Sequence, residues 1–290
     1  MSLIKYRALV TALHYKNLTK AAEQLGYTQP GISHMILSLE KEFGFPLLIR
    51  QKDGIEATEN AKQLLPYLQE ILESEDQLKE MINQINGIET GCVRIGAFFS
   101  VSIHWLPSII QAFSEKYPNI ELQLFEGDYG EITTWLKDGQ IDCALMSAPV
   151  PDGFEFIPFL DDPILALLPQ THPLARHKII SPSELVQSPF IIPSSGSDED
   201  IWRVLVPEGL TPNIKYRVKG DETIIAMVAK GLGVSLMPKL LLHHLPETLV
   251  TKPLTPHYFR TLGLTIRSKR QTAPATKKFI QICESVLKTL

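Results

Sequence analysis

The chain has 290 residues, of which 44% are hydrophobic and 21% charged; 28 Lys and Arg face 32 Asp and Glu, for a net charge of −4. Such a composition excludes wholesale disorder, and the length suffices for two or three domains with their own cores. It also excludes a polycation, so any nucleic-acid contact must come from a local surface.

Leu3, Ile4, Tyr6, Ala8, Leu9 and Leu13 predict the apolar face of a first helix. A second runs from Thr19 to Leu25 and stops at Gly26, a residue suited to a left-handed C-cap. Thr28 reads as the N-cap of a third, with Pro30 in the first turn, where a missing N–H costs little. Ile32, Ile36, Leu39 and Phe43 then share one face. "FPLLIRQKDGIEATENA" predicts a strand, an Asp53-Gly54 turn and a second strand, a small wing.

Residues 58–88 predict a long helix. Leu64, Leu68, Ile71, Leu78, Ile82 and Ile85 alternate by fours and threes, with Glu75 in the missing place. This heptad seam predicts pairing with a second copy of the chain; the plainer alternative is a helix lying on its own domain. Pro66 is expected to kink the helix or set off its first turns. "NGIETG" (86–91) is expected to end it as a linker.

From Gly91 onward, strand and helix patterns alternate. "VRIGAFF", "IELQLF" and "IDCALMS" read as strands around the helices "HWLPSIIQAFSEKYP" and "EITTWLKDG", hence a parallel sheet covered by helices. A second unit starts near "LDDPILALLP" and is expected to run through the strand "RTLGLTIRS", with the last helix, 274–289, returning to the first unit. The expected divisions are residues 1–60, 61–90 and 91–290. Within the last, one lobe takes about 91–161 and 268–290, the other about 162–267. Two such lobes make a cleft at the carboxyl ends of their strands, where α/β sheets bind small ligands.

Cys92, Cys143 and Cys283 are odd in number, far apart and without CxxC or His-rich spacing. That predicts a reducing cytoplasm, no disulfide framework and no metal. "MSLIKYRALV" lacks the apolar run of a secretory signal, and no stretch approaches the ~18 apolar residues of a membrane span.

"NLTKAAEQLGYTQPGISHMILSLEKEFGFPLLIR" resembles the N-terminal domain of the LysR-type transcriptional regulators. The matching features are Ala21-Ala22, Thr28-Gln29-Pro30, Ser33, Leu39-Glu40 and Leu47-Leu48-Ile49-Arg50. "VRIGA", "ELQLFEG", "GQIDCALM" and "AKGLGVSLMP" are similar to that family's effector-binding domain, so the likeness covers nearly the whole chain in order. It implies an α/β protein with an N-terminal winged helix-turn-helix, a long dimerising linker helix and a two-lobed, periplasmic-binding-protein-like effector domain. It also implies double-stranded DNA, a homodimer or a tetramer built as a dimer of dimers, and RNA polymerase as partners. The chain departs from the family where basic residues are usual, at His34, Leu37 and Ser38. No Lys or Arg lies between Lys20 and Lys41.

With Ile32, Ile36 and Leu39 turned inward, the third helix shows Gln29, Pro30, Ser33, His34 and Leu37. Gln can bond an adenine edge in a bidentate way, and Pro and Leu can pack on thymine methyls. Thr28, Gln29, Pro30, Ser33, His34, Arg50 and Lys52 are therefore the expected DNA contacts. Lys5, Arg7, Lys16, Lys20 and Lys41 would add phosphate charge. The plain alternative is that Gln29 and Ser33 only cap the helix and His34 is only solvated.

The family's ligands sit between the lobes at helix N-termini, which favour anions. Ser100 and Ser102 in the first lobe, and Ser195 and Thr223 in the second, are the expected effector contacts. No cofactor is expected beyond a small-molecule effector, a carboxylate or an amino-acid-like metabolite. Asp198, Glu199 and Asp200 would oppose a highly charged anion. No cysteine lies between Ser147 and Thr272, which speaks against redox sensing in the second lobe. No GxSxG, HExxH or P-loop pattern points to an enzyme. An exported ligand carrier would need a signal peptide and no winged helix.

Overall fold

The computed structural model describes residues 2–51, 54–85, 90–268 and 272–288. The chain divides into two compact units: Met1–Thr90 with the short piece Lys137–Gln140, and Gly91–Leu136 with Ile141–Leu290.

The first unit opens with helices α1 (Leu3–Tyr15), α2 (Leu18–Leu25) and α3 (Gln29–Phe43). The Asn17 side chain caps α2 by accepting from the Thr19 and Lys20 N–H groups, and Thr28 caps α3 by accepting from Gly31 N–H. Gly26 ends α2 at a φ of 71°, the left-handed conformation anticipated for it. Tyr6, Ala8, Leu9 and Ala12 of α1 meet Ala21 and Ala22 of α2 and Ile32, Ile36 and Leu39 of α3 in one core. The paired alanines let α1 and α3 come close to α2. Leu3 and Ile4, expected in the apolar face, are exposed instead; Ala12 completes that face.

The wing is β1 (Leu48–Gln51) paired antiparallel with β2 (Gly54–Ala57). Lys52 and Asp53, the first residue of the expected turn, lie outside the described residues. Glu40 ties α3 to the wing, its Oε1 accepting from Leu47 N–H at 2.7 Å and Leu48 N–H at 3.2 Å.

Thr58 Oγ1 accepts from Ala61 N–H and donates to Pro46 O, anchoring the start of α4 (Glu59–Ile85). The helix continues through Pro66. The expected seam along it divides in two. Leu68 and Leu72 are buried in the first unit's own core, so Leu68 is corrected from a pairing residue to a core residue, while Leu64 packs half-buried against that core. Glu75, in the missing place of the seam, binds Arg7 at 3.0 Å and Lys79 at 2.7 Å on the same chain. Ile71, Leu78, Ile82 and Ile85 stay exposed, at 42, 60, 48 and 77%. The 86–89 part of the expected linker lies outside the described residues.

The second unit is built on a sheet of order β10-β6-β11-β5-β3-β4, with β9 also on β6. Its first lobe runs β3 (Gly91–Ala97), α5 (Phe99–His104), α6 (Leu106–Lys116), β4 (Ile120–Glu126), α7 (Tyr129–Lys137) and β5 (Cys143–Ser147). Strands β4 and β5 lie parallel on either side of β3. The long strand β6 (Glu155–Pro169) crosses between lobes. The second lobe continues with α8 (Pro182–Leu185), β7 (Pro189–Pro193), α9 (Glu199–Leu205), β8 (Asn213–Val218), α10 (Asp221–Ala229), β9 (Ser235–Pro238) and β10 (Leu249–Pro253). Finally β11 (Phe259–Ile266) pairs antiparallel with β5 and with the first half of β6. Its Leu262, Leu264 and Ile266 join Phe113, Phe279 and Cys283 in the first lobe's core. That corrects the expected division, which gave residues 162–267 wholly to the second lobe. Helix α11 (Pro274–Leu287) packs on the first lobe through Phe279 and Cys283.

The β11–β6 register shifts at Leu262/Gly263, where the strands approach closely. A Cβ on Gly263 would lie 2.3 Å from Ile157 O and 2.6 Å from the Phe156 ring. Gly263→Ala is therefore expected to lower stability by about 1–3 kcal/mol, read as a lower urea midpoint. An unchanged midpoint would show that the two strands can spread at no cost.

Candidate functional site

Two surfaces carry chemistry, one in each unit. On α3, Pro30, His34 and Leu37 are exposed and Gln29 and Ser33 half-buried, while Ile32, Ile36 and Leu39 face the core. The helix thus presents a row of small polar and apolar groups. Thr28 is exposed, with its hydroxyl oxygen already accepting from Gly31 N–H at 3.3 Å. Arg50 is exposed on β1; Lys52 lies outside the described residues.

The flanking cations differ from expectation. Lys5 Nζ donates to Ser38 Oγ at 3.0 Å and lies 3.7 Å from Glu42. Arg7 donates to Asp76 at 2.7 Å and to Glu75 at 3.0 Å. Burial draws the Arg7 pKa down, and these hydrogen bonds more than restore it. Both charges are therefore met within the chain and are corrected from phosphate contacts to internal ties. Lys16, Lys20, Lys41 and Arg50 remain exposed.

The second surface is a cavity of about 580 Å³ between the lobes of the second unit, a size suited to a metabolite. At its floor lies Arg260 of β11, only 3% exposed. Its Nε donates to Asp162 Oδ2 at 3.0 Å, Nη1 to Asp200 Oδ2 at 3.0 Å and Nη2 to Ser100 Oγ at 2.9 Å. Asp162 comes from β6, Asp200 from α9 and Ser100 from α5, so one guanidinium joins both lobes. Burial raises the Asp162 carboxyl above its usual range although Arg260 pulls it down. Burial would lower the Arg260 pKa, but Asp200 and Asp162 outweigh it.

Other bonds close the cleft. Tyr129 of α7 donates from its hydroxyl to Asp200 Oδ1 at 3.1 Å and from its backbone N–H to Gly196 O at 3.2 Å. Desolvation raises the Tyr129 phenol well above its ordinary pKa, and Asp200 adds to the rise, so it stays a donor. Arg203 of α9 reaches Ala148 O at 2.8 Å across the lobes.

Of the expected effector contacts, Ser100 and Thr223 line the cavity. Ser102 and Ser195 do not, and are corrected. Two helical steps turn a side chain by roughly 200°, so Ser100 and Ser102 cannot share a face. In the loop before α9, Ser194 and Ser197 line the wall while Ser195 faces outward. The sequence reading missed Arg260 and Asp162, and took Asp200 only as an acid opposed to anions. The signal was a lone arginine in the apolar strand "FRTLGLTI", which can be buried only against carboxylates. Cys143 and Cys283 are buried in the first lobe, and desolvation raises both thiols, which makes them poor nucleophiles. Among the described residues no helix is long and apolar enough to cross a membrane.

Residues 3–62 match the model of the bacterial regulatory helix-turn-helix protein, lysR family. Residues 86–288 match that of the LysR substrate binding domain, which covers most of the chain. The chain belongs to the LysR family. As a LysR-type transcriptional regulator it combines a DNA-binding helix-turn-helix with a domain that binds a small-molecule effector. The HTH-type transcriptional regulator YvbU of Bacillus subtilis (strain 168) is 29% identical over 289 residues, 99% of each chain. Among solved structures, a full-length variant of OxyR from Pseudomonas aeruginosa superposes with a TM-score of 0.79 at 24% identity, over 99% of this chain and 95% of that one. The effector-binding domain of QuiR, solved with shikimate, gives 0.61 at 22% identity, over 69% of this chain and 98% of that one. Both share the LysR fold with this chain.

Proposed function

We propose that this LysR-type regulator reads double-stranded DNA with α3 in the major groove, in the cytoplasm and without catalytic activity of its own. Thr28, Gln29, Pro30, Ser33 and His34 face the groove, with Arg50 and Lys52 on adjoining phosphates. The observation that carries this reading is the row of exposed and half-buried, largely uncharged side chains on α3, set on a core that fixes the helix by its opposite face. A surface so poor in charge binds a single half-site weakly, because phosphate neutralisation supplies much of DNA affinity. The chain therefore works as a homodimer or dimer of dimers, linking heads about 34 Å apart on one DNA face. The exposed Ile71, Leu78, Ile82 and Ile85 support α4 as the pairing surface. A small polar effector in the cleft, touching Ser100 and Thr223, shifts the lobe-closing bonds of Tyr129, Arg203 and Arg260 and so the spacing of the heads, as seen by RNA polymerase at the promoter.

Gln29→Ala tests the reading of bases. Binding to a selected site, followed by fluorescence anisotropy, is expected to lose about 1–3 kcal/mol of preference at one base pair and to keep its non-specific affinity. An equal loss on every sequence would make Gln29 a helix-capping or phosphate residue.

A further inference from the structure

The helices that open on the cleft begin with acids. Asp128 and Glu131 stand at the start of α7, Glu199 and Asp200 at α9, and Asp221 and Glu222 at α10. At α7 the two acids close on each other's backbone: Asp128 Oδ1 accepts from Glu131 N–H at 2.9 Å, and Glu131 Oε2 from Asp128 N–H at 3.0 Å. The N–H groups and positive dipole end that would hold an anion there are already met by the protein's own carboxylates.

The positive lining residues are Lys219 and Arg260. Arg260 is spent on Asp162 and Asp200. Lys219 then shares the cavity lining with Asp221 and Glu222 of its own lobe and Glu126 of the other. Asp221 is half-buried and makes no hydrogen bond or ion pair among the described residues. Its carboxyl is raised by burial, with Arg260 only partly offsetting that. A carboxylate held in a cavity with no hydrogen-bonding donor favours a cation that can reach it. These acids line a cavity that lies between the lobes of a domain that binds small molecules in this family.

We propose that the cleft takes a small organic cation, a primary ammonium or guanidinium compound carrying more positive than negative charge. Asp221 is its inner partner, Glu126 and Glu222 draw it in at the rim, and the hydroxyls of Ser194, Ser197 and Thr223 bind its remaining polar groups. This rests on the cleft being the effector site. A bare carboxylate is disfavoured, whereas an amino acid with an additional amine fits.

Calorimetric titration of the full-length protein with 1,5-diaminopentane, pentane-1,5-diol and glutarate compares three end groups on one carbon chain. The diamine is expected to bind at least about tenfold tighter than the other two, and Asp221→Asn to weaken it by about tenfold or more, the loss of one charge-assisted hydrogen bond. Glu126→Gln, on the exposed rim, is expected to weaken it less. Tighter binding of glutarate overturns the charge class and leaves the cleft standing as the effector site. Diamine binding that survives both substitutions unchanged sites the ligand elsewhere, and the cleft reading fails with it. Binding by none of the three also counts against the proposal, because the charge argument is indifferent to the skeleton between the amines.

Discussion

Arg260→Met is expected to lower the unfolding free energy of the effector-binding domain by about 3–5 kcal/mol, because Asp162 is left buried without its cation and Asp200 keeps only Arg203, at 3.8 Å. Removing one partner of a buried ion pair costs far more than replacing the whole group. The triple change Arg260→Met, Asp162→Asn and Asp200→Asn should therefore recover much of the loss. All three tryptophans, Trp105, Trp135 and Trp202, lie in the second unit, so their fluorescence follows its urea unfolding directly. An Arg260→Met chain within about 1 kcal/mol of the parent would mean that water or relaxation already compensates the two carboxylates. Arg260 would then hold the lobes together less than its geometry suggests. The same guanidinium also occupies Ser100, so its loss frees a hydroxyl at the cleft wall as well.

A larger effect on DNA binding is expected from Ile82→Glu combined with Ile85→Glu. Both residues are exposed, and two buried charges would oppose pairing of α4 with a second copy. If pairing supplies the affinity, the molecular mass by light scattering falls to that of one chain. DNA affinity then drops by about 10²–10⁴, the gain that linking two modules provides. Leu68→Ala separates the two halves of the helix. Leu68 sits in the first unit's own core, so its truncation should cost about 2–5 kcal/mol of that unit's stability and leave the mass unchanged. Equal loss of mass in both variants would contradict the division of α4 into a core half and a pairing half.

What the sequence made legible was local. Gly26, Thr28 and Pro30 mark helix ends by chemistry that acts within a few residues, and the structure uses Gly26 and Thr28 as caps with Pro30 in the first turn; the Asn17 cap of α2 was missed. The inward row of Ile32, Ile36 and Leu39 followed from a 3.6-residue period alone. The heptad along α4 was also legible, but periodicity states that a face is covered and not by what. Leu68 is covered by its own domain. The lobe to which β11 belongs was hidden for a similar reason: its partners β5 and β6 lie a hundred residues away, and nothing within "FRTLGLTI" names them. Arg260 reaches Asp162, Asp200 and Ser100 across 98, 60 and 160 residues. Long-range pairing of this kind leaves only a lone charge in an apolar run as its trace. The Ser102 error was one of phase, since a serine two positions from Ser100 points to the opposite side of α5.

The most direct test is selection of random-sequence duplexes by the full-length protein, followed by footprinting on the sequences recovered. Two related half-sites are expected to be enriched, with centres one helical turn or a multiple of it apart, and protection that weakens steeply as salt rises. Recovery of a single unpaired half-site would contradict the multivalent reading. No enrichment at low salt would contradict DNA recognition by the uncharged face of α3 altogether.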